Sequence, residues 1–424
     1  MFVLKRKLCL WIILFSLSVQ SLTLPEAESL ALSHSSRVKQ AILNGQSYQA
    51  LAHVNAEYED PKLNFGLINL PADNFSISRN PTTQLRFGLK QSLPRGSELD
   101  YKKAHFNNMA NQMHFQSNDE WLKVLKNTRL SYLSLFHGIQ KERILILSRN
   151  QFINLLSLTE QNYANGINTQ QSIINAQLQL ANVDDKILKT RNNIQQSRSR
   201  LSYWIGDNYQ SDIPSNFPII NLKNNYHRDV FTLEKLQNHP AIQKATATIN
   251  ALENKLAIDK EKSKSAWTIG LEYRKRFGNN DDLSGRSDLL AFTASIDMPQ
   301  FNKRKLNNIL LSAEVQIQAA EQSRNDIRKQ FDSEFQSVNA QYAFLEKRLM
   351  LYENTIFQTT IENNKAAISA YQNGKSDFSV LIEAENAELN AKLEILSIKV
   401  QLLKEKSKLM YLLNVDRISQ GRSK

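Results

Sequence analysis

The sequence predicts an α+β membrane protein: a long α-helical barrel, or tunnel, continued by a transmembrane antiparallel β-barrel, carrying an internal two-fold sequence repeat. Three observations carry that prediction. Stretches without Gly or Pro are far longer than a compact domain uses, two pairs of short segments alternate apolar and polar residues, and a Tyr-x-Asn-Gly turn occurs twice.

The first element has the layout of a secretory leader, assigned to residues 1–21: Lys5, Arg6 and Lys7, an apolar stretch from Leu8 to Val19, then Val19-Gln20-Ser21 as a cleavage site. The alternative is a single-pass anchor, but an apolar core of 12 residues is short against the roughly 20 a spanning helix needs. The only cysteine, Cys9, lies inside the leader, so the mature chain carries no thiol, which suits an oxidising compartment. The formal charge of +12 includes the three leader cations, leaving about +9 spread along helical faces, with "QLLKEKSK" balanced by "EAENAELNAKLE". A leader, and no basic patch interleaved with stacking aromatics, argue against a nucleic-acid partner.

The chain has only 12 Gly and 9 Pro, with no proline between Pro94 and Pro214 and neither residue between Pro299 and Gly374. Long helices are the natural consequence. At 1.5 Å rise per residue, Leu99–Tyr163 makes a column of about 98 Å, and Thr169–Trp204 returns about 54 Å. The run Ser35–Tyr58, about 36 Å, fills most of the difference if stacked end to end with the returning helix. In the second half Gln300–Tyr371 spans about 108 Å, matched by Lys375–Leu413 and Leu233–Ser263 together at about 105 Å.

Before each long helix lies a strand pair. In "TTQLRFGLKQSL" Leu85, Phe87, Leu89 and Leu93 fall on one face, with Gln84, Arg86, Lys90 and Ser92 on the other. Leu63, Phe65 and Leu67 alternate likewise, as do Trp267, Ile269, Leu271 and Tyr273, and then Leu290, Phe292, Ala294, Ile296 and Met298. Strands of this length, apolar outside and polar inside, fit an outer-membrane barrel whose lumen Arg86, Lys90, Glu272, Arg274 and Asp297 would line. An antiparallel sheet resting on a soluble core is the other reading. A membrane tolerates no open edge and even a small barrel closes with about eight strands, so the barrel reading requires a homo-oligomer.

The two turns, Tyr163–Gly166 and Tyr371–Gly374, align without gaps so that Ala176 meets Ala384, Leu201 meets Leu409 and Tyr203 meets Tyr411. Upstream, Pro94 faces Pro299. The chain therefore reads as a first copy at 22–207, a linker at 208–230, a second copy at 231–415 and a tail at 416–424. The strand pairs fall at about 61–71 and 82–93 and at about 266–277 and 288–298, and the turns near 163–168 and 371–376. The last helix has two apolar seams, one through Leu389, Leu393, Leu396, Val400, Leu403 and Met410, the other through Leu381, Ala384, Ala391, Ile395, Ile398 and Leu402. Two flanking seams with polar faces between them describe a stave in a ring, against the alternative of an irregular bundle.

With these features in place the chain resembles the TolC family of outer-membrane efflux proteins. "LTLPEAESLAL", the strand pairs entering long helices at Leu93-Pro94 and Met298-Pro299, the paired Tyr-x-Asn-Gly turns and "NHPAIQKA" carry the likeness in their order and spacing. "DPKLNFGLINLPADNFSISRNPTTQLRFGLKQSLPRGSEL" resembles the heavy-metal-efflux branch in particular. The resemblance implies a homotrimer with four strands per chain in a 12-stranded barrel amid outer-membrane lipid, and a helical tunnel through the periplasm. It implies a passive exit duct for small solutes, metal ions or drugs among them, working with a periplasmic adaptor protein and an inner-membrane efflux transporter. Type I protein secretion is the alternative within the family; a periplasmic adaptor or coiled-coil interaction protein is the alternative outside it.

The resemblance also implies roles. Tyr163, Asn165, Gly166, Asn373 and Gly374 would form tips that an adaptor docks on, although a plain tight turn would read the same. Tyr371, Asp377, Glu383 and Asn175 would surround the periplasmic aperture. Ser376 stands where the family has an arginine and Val380 where it has a second acid, so the usual salt-bridge network is incomplete. No nucleophile elbow, phosphate loop or metal motif occurs, and the seven histidines include no pair at helical spacing, so no enzyme activity, cofactor or metal is expected.

Overall fold

The computed structural model describes residues 21–167, 169–206, 212–220 and 238–416. Apart from Ser21, the expected leader lies outside these residues, as do most of the 208–230 linker, residues 231–237 and the tail beyond Asp416. The elements are α1 (Leu24–His34), α2 (Ser36–Val54), β1 (Lys62–Ile68), β2 (Gln84–Leu93), α3 (Glu98–Ala164), α4 (Gln170–Ile205), α5 (Pro240–Glu261), β3 (Trp267–Arg276), β4 (Leu289–Ile296), α6 (Lys303–Leu351), α7 (Phe357–Gln372) and α8 (Phe378–Leu412). No helix among the described residues is long and apolar enough to cross a membrane.

One difference from the sequence reading concerns the second long helix. The expected single run from Gln300 opens with a 3-10 turn at Pro299–Asn302, and a π turn at Tyr352–Ile356 separates α6 from α7. Ion pairs flank the widened turn. Arg348 pairs with Glu394 at 2.8 Å and Lys399 with Glu353 at 2.7 Å, so residues five apart on this strand of helix both reach α8, which a π turn permits.

The chain divides into two compact units. One comprises the described residues of 21–35, 123–220 and 337–411. It explains the "LTLPEAESLAL" start: Pro25 occupies the first turn of α1, the Glu26 carboxylate accepts the Thr23 N–H at 2.8 Å, and Leu22, Leu24, Ala27 and Ala31 are buried. The Arg129 side chain, 6% exposed, holds α1 through Glu28 at 2.6 Å, and the Tyr132 hydroxyl donates to the Leu22 carbonyl. Both seams of α8 are filled inside this unit: Leu389, Leu396, Val400 and Met410 are buried on one, Leu381, Ala384, Ala391 and Ile398 on the other. Ser407, where the first seam skips, is also buried and donates to the Leu403 carbonyl. The polar flanks are drier than expected, because Lys392 and Lys399 are half-buried and paired with Glu388 and Glu353.

Among the described residues, the second unit comprises 36–122, 238–336 and 412–416. It holds a four-stranded antiparallel sheet in the order β1-β2-β3-β4.

His137, on α3, generates a prediction about acid stability. Burial, and then the ammonium charges of Lys404 and Lys141, push its imidazole from 6.5 down to about 4. Between those values the unfolded chain binds the proton and the folded one does not, so stability falls as pH drops through this window. The loss is at most roughly 3 kcal/mol. Thermal midpoints recorded from pH 7 to pH 4 should decline less steeply for His137→Gln than for the unaltered protein.

Candidate functional site

Two regions carry the residues that the sequence singles out, and each lies within one unit. The first is the pair of turns. The Gly166 N–H donates to the Tyr163 carbonyl at 2.9 Å and the Ile167 N–H to Asn162 at 2.8 Å; the Gly374 N–H donates to Tyr371 at 3.1 Å and the Lys375 N–H to Ala370 at 2.8 Å. Both are the paired 5→2 and 6→1 closure of a helix end around a left-handed residue. Gly166 and Gly374 have φ of 72° and 66°, which is why glycine stands there. Tyr163, Asn165, Gly166, Asn373 and Gly374 are all exposed.

The residues expected at an aperture are not alike. Tyr371 is 2% exposed, packed with Phe378, Leu381 and Phe152, and its hydroxyl donates to Thr159 Oγ1 at 3.3 Å. Asp377 is exposed and immediately precedes α8, where the positive end of a helix favours a carboxylate. Glu383 and Asn175 are exposed on α8 and α4, which are linked nearby by Asn386 donating to Gln179 at 3.4 Å.

The second region is the sheet. Its register lines up Leu63, Leu89, Leu271 and Phe292 in one row and Phe65, Phe87, Tyr273 and Leu290 in another. These side chains are exposed, Phe65 at 76% and Phe292 at 79%. The alternate rows are polar: Lys62, Lys90, Gly270, Thr293, and Asn64, Gly88, Glu272, Ala291. Glu272 is 3% exposed, its carboxylate 2.9 Å from Arg274 and 3.9 Å from Arg86. It folds over Gly88, where an added Cβ would stand 2.9 Å from the Glu272 side chain. Arg86, Lys90, Glu272 and Arg274 thus share one face, whereas Asp297 lies past β4 and pairs with Arg95 at 2.9 Å.

Sequence reasoning missed two groups. At the strand-to-helix junction a cavity of about 810 Å³ is lined by Glu59, Asp60, Arg95, Lys262 and Trp267, and the Glu261 carboxylate clasps the Ser97 N–H. The hydrogen bond from Lys264, against the opposing effect of burial, holds the Glu261 carboxyl below its usual range. On α7 and α8, the buried Asn364 and Glu385 and the half-buried Glu388 and Lys392 form a polar cluster beside a cavity of about 340 Å³. The spacing of Glu385, Glu388 and Lys392 on one helical face was its only sequence signal.

The fold defined by these elements is that of outer-membrane channel proteins. Over 92% of its length the chain matches the outer-membrane channel OprN with a TM-score of 0.78 and 16% identity, covering 89% of that chain. It matches CusC, described through the conformational changes of folding and transmembrane channel formation, at 0.79 and 15%, over 92% of each chain. The outer membrane protein VceC of Vibrio cholerae follows at 0.75 and 18%, with 92% of this chain and 95% of that one covered. At these identities the likeness is one of fold, and the fold is the TolC type. No protein-family model matches the sequence, and no curated protein matches it significantly.

The turn geometry gives a direct prediction. An added Cβ at Gly374 meets nothing within 4 Å, so Gly374→Ala pays only for the left-handed backbone, about 1 kcal/mol. Gly285 has the same open space without a positive φ, and Gly285→Ala should leave the melting temperature nearly unchanged while Gly374→Ala lowers it by about one degree.

Proposed function

We propose that the chain is the outer-membrane exit duct of an efflux system, a passive conduit and not an enzyme. The observation that carries this reading is the sheet: one apolar exposed face, one charged face, and an outer edge on both β1 and β4. In hydrocarbon such a sheet needs copies of itself, and three copies with four strands each make a barrel of 12. Arg86, Lys90, Glu272 and Arg274 then face the lumen, with Asp297 at its inner rim, and the helices continue the passage through the periplasm. The chain is an internal repeat of two copies, 22–207 and 231–415; the matching closures at Gly166 and Gly374 support that. The exposed turns are tips for a periplasmic adaptor, which connects the duct to an inner-membrane transporter. Tyr371 braces the second tip from inside, while Asp377, Glu383 and Asn175 border the aperture. Small solutes are the cargo class. The fold shared with OprN, CusC and VceC supports the same reading.

The purified chain should run as an oligomer on an unheated gel and conduct in planar bilayers; release as a soluble periplasmic monomer would end the proposal. Leu89→Arg places a charge on the lipid side at a cost of about 2–4 kcal/mol near the bilayer centre, so it should remove the protein from the outer-membrane fraction. Thr268→Arg, on the opposite face, should leave it there. Conductance also tests the aperture: Glu383→Gln should reduce cation preference, since a ring of like charges concentrates counter-ions.

A further inference from the structure

The cavity between α3 and α8 has an unbalanced charge. Its walls are Ile144, Leu147 and Leu389 on the apolar side, and Ser148 and Gln151 on the polar side of α3, with Glu385, Glu388 and Lys392 projecting from α8. Lys392 Nζ lies 2.6 Å from Glu388 Oε1, and Asn364 Nδ2 donates to Glu388 Oε2 at 2.6 Å. Burial opposes the ionised form of Glu388, but these two bonds outweigh it and hold its carboxyl low, helped by the charges of Lys392 and Lys365. Glu388 is therefore an ionised and compensated acid.

Glu385, unlike Glu388, has no ion pair of its own. It is 5% exposed, and the groups around it are the neutral Asn364 amide from α7, Ser148 and Gln151 from α3, and Glu388 and Lys392 on its own helix. Burial raises its proton affinity; the Asn364 hydrogen bond and the Lys392 charge oppose that, and the Glu388 charge adds to it. A second, independent deficiency sits beside it. Asn364, also 5% exposed, has its Oδ1 buried with no hydrogen-bond partner. The buried acceptor wants a hydrogen-bond donor, and the buried acid a cation or a proton.

We propose that this cavity binds a small amphipathic organic monocation, its ammonium group on the Glu385 carboxylate and its apolar part on the Ile144, Leu147 and Leu389 wall. A volume of about 340 Å³ suits a ligand of one ring and a short chain. The donor set does not suit a metal ion. Hard divalent cations take six or more oxygens, and here two carboxylates share the site with a lysine; no group of three His, Cys, Asp or Glu side chains occurs among the described residues. The site is independent of the duct reading, because it needs only the residues of this one unit.

The test is a calorimetric titration of the full-length detergent-solubilised protein with 2-phenylethylammonium at pH 7.5, with the neutral 2-phenylethanol as control. One cation should bind per chain, at least tenfold more tightly than the alcohol. Glu385→Gln keeps the shape of the acid and should weaken binding about tenfold, while Lys392→Met, which removes the competing resident cation, should strengthen it several-fold. Affinity should fall as pH is lowered from 7.5 to 5, because a proton competes for Glu385. Leu147 is 67% exposed, so Leu147→Ser tests the apolar wall without threatening the fold and should weaken binding about threefold. Equal affinity for alcohol and cation would overturn the proposal, as would unchanged binding in both Glu385→Gln and Leu147→Ser; the first result would mean that Glu385 keeps a proton instead of a ligand. The titration reads no conductance, so its failure leaves the duct reading standing.

Discussion

Every backbone N–H and C=O in a sheet needs a partner, and among the described residues β1 and β4 each have a paired neighbour on one side only. In water two such edges beside rows of exposed Leu and Phe would invite uncontrolled association. In hydrocarbon they would be intolerable, since nothing there can replace the missing hydrogen bonds. One arrangement satisfies edges and apolar face together: β4 of one copy against β1 of the next, repeated until the ring closes. The antiparallel order 1-2-3-4 leaves the two edges at opposite ends of the sheet, which is what a head-to-tail ring requires. The proposed ring, though not its number of copies, follows from this constraint more than from any single side chain.

The helices obey a softer version of the same logic. α8 fills both of its seams within the chain, so it is complete. α4 is not: Ala176, Val183, Ile187, Ile194 and Leu201 are buried along one side, while Ile174, Leu178 and Leu188 remain exposed on another. Phe344 and Met350 on α6 and Ile42 and Leu43 on α2 are exposed as well. An exposed leucine alone means little, but a helix with one seam filled and further apolar residues bare has a face that a neighbour could cover, as the proposed ring requires. Sheet edges and bare seams call for the same remedy.

How much of this was legible depended on whether the physics was local. The period-two alternation of Leu85, Phe87 and Leu89 marks β2 because strand geometry alone sends neighbours to opposite faces. The Tyr-x-Asn-Gly turns were legible because only glycine takes a positive φ without cost. The fold of Glu272 over Gly88 was not, since it depends on a cross-strand register that no single segment encodes. Nor was the π turn at Tyr352–Ile356, which has neither Gly nor Pro to announce it and is flanked by ion pairs to α8. Tyr203 and Tyr411 coincide when the two turns are aligned, yet one is 66% exposed and the other 5%, so like residues need not have like surroundings. Of the residues proposed for the aperture, the sequence indicated chain position but not depth: Tyr371 is core, and Asp377 and Glu383 are surface. Asn364 and Glu385 escaped notice because their meeting is a matter of helix packing.

The polar links inside the helical unit have a common placement that the apolar seams explain. A seam of Leu, Ile and Ala repeating every three or four residues can slide by a heptad and still find apolar partners, so hydrophobic burial fixes which helices meet more firmly than it fixes their register. The strong polar contacts join segments distant in sequence: Arg129 to Glu28, Arg149 to Asp184, Arg191 to Glu142, Arg348 to Glu394, Glu353 to Lys399 and Asn364 to Glu388. Sliding any one helix past its neighbour would strand several charges at once, and for Arg129, almost wholly buried, the loss would be severe. Long helices with monotonous seams thus gain from ion pairs a single register, and with it the fixed level at which the two turns end.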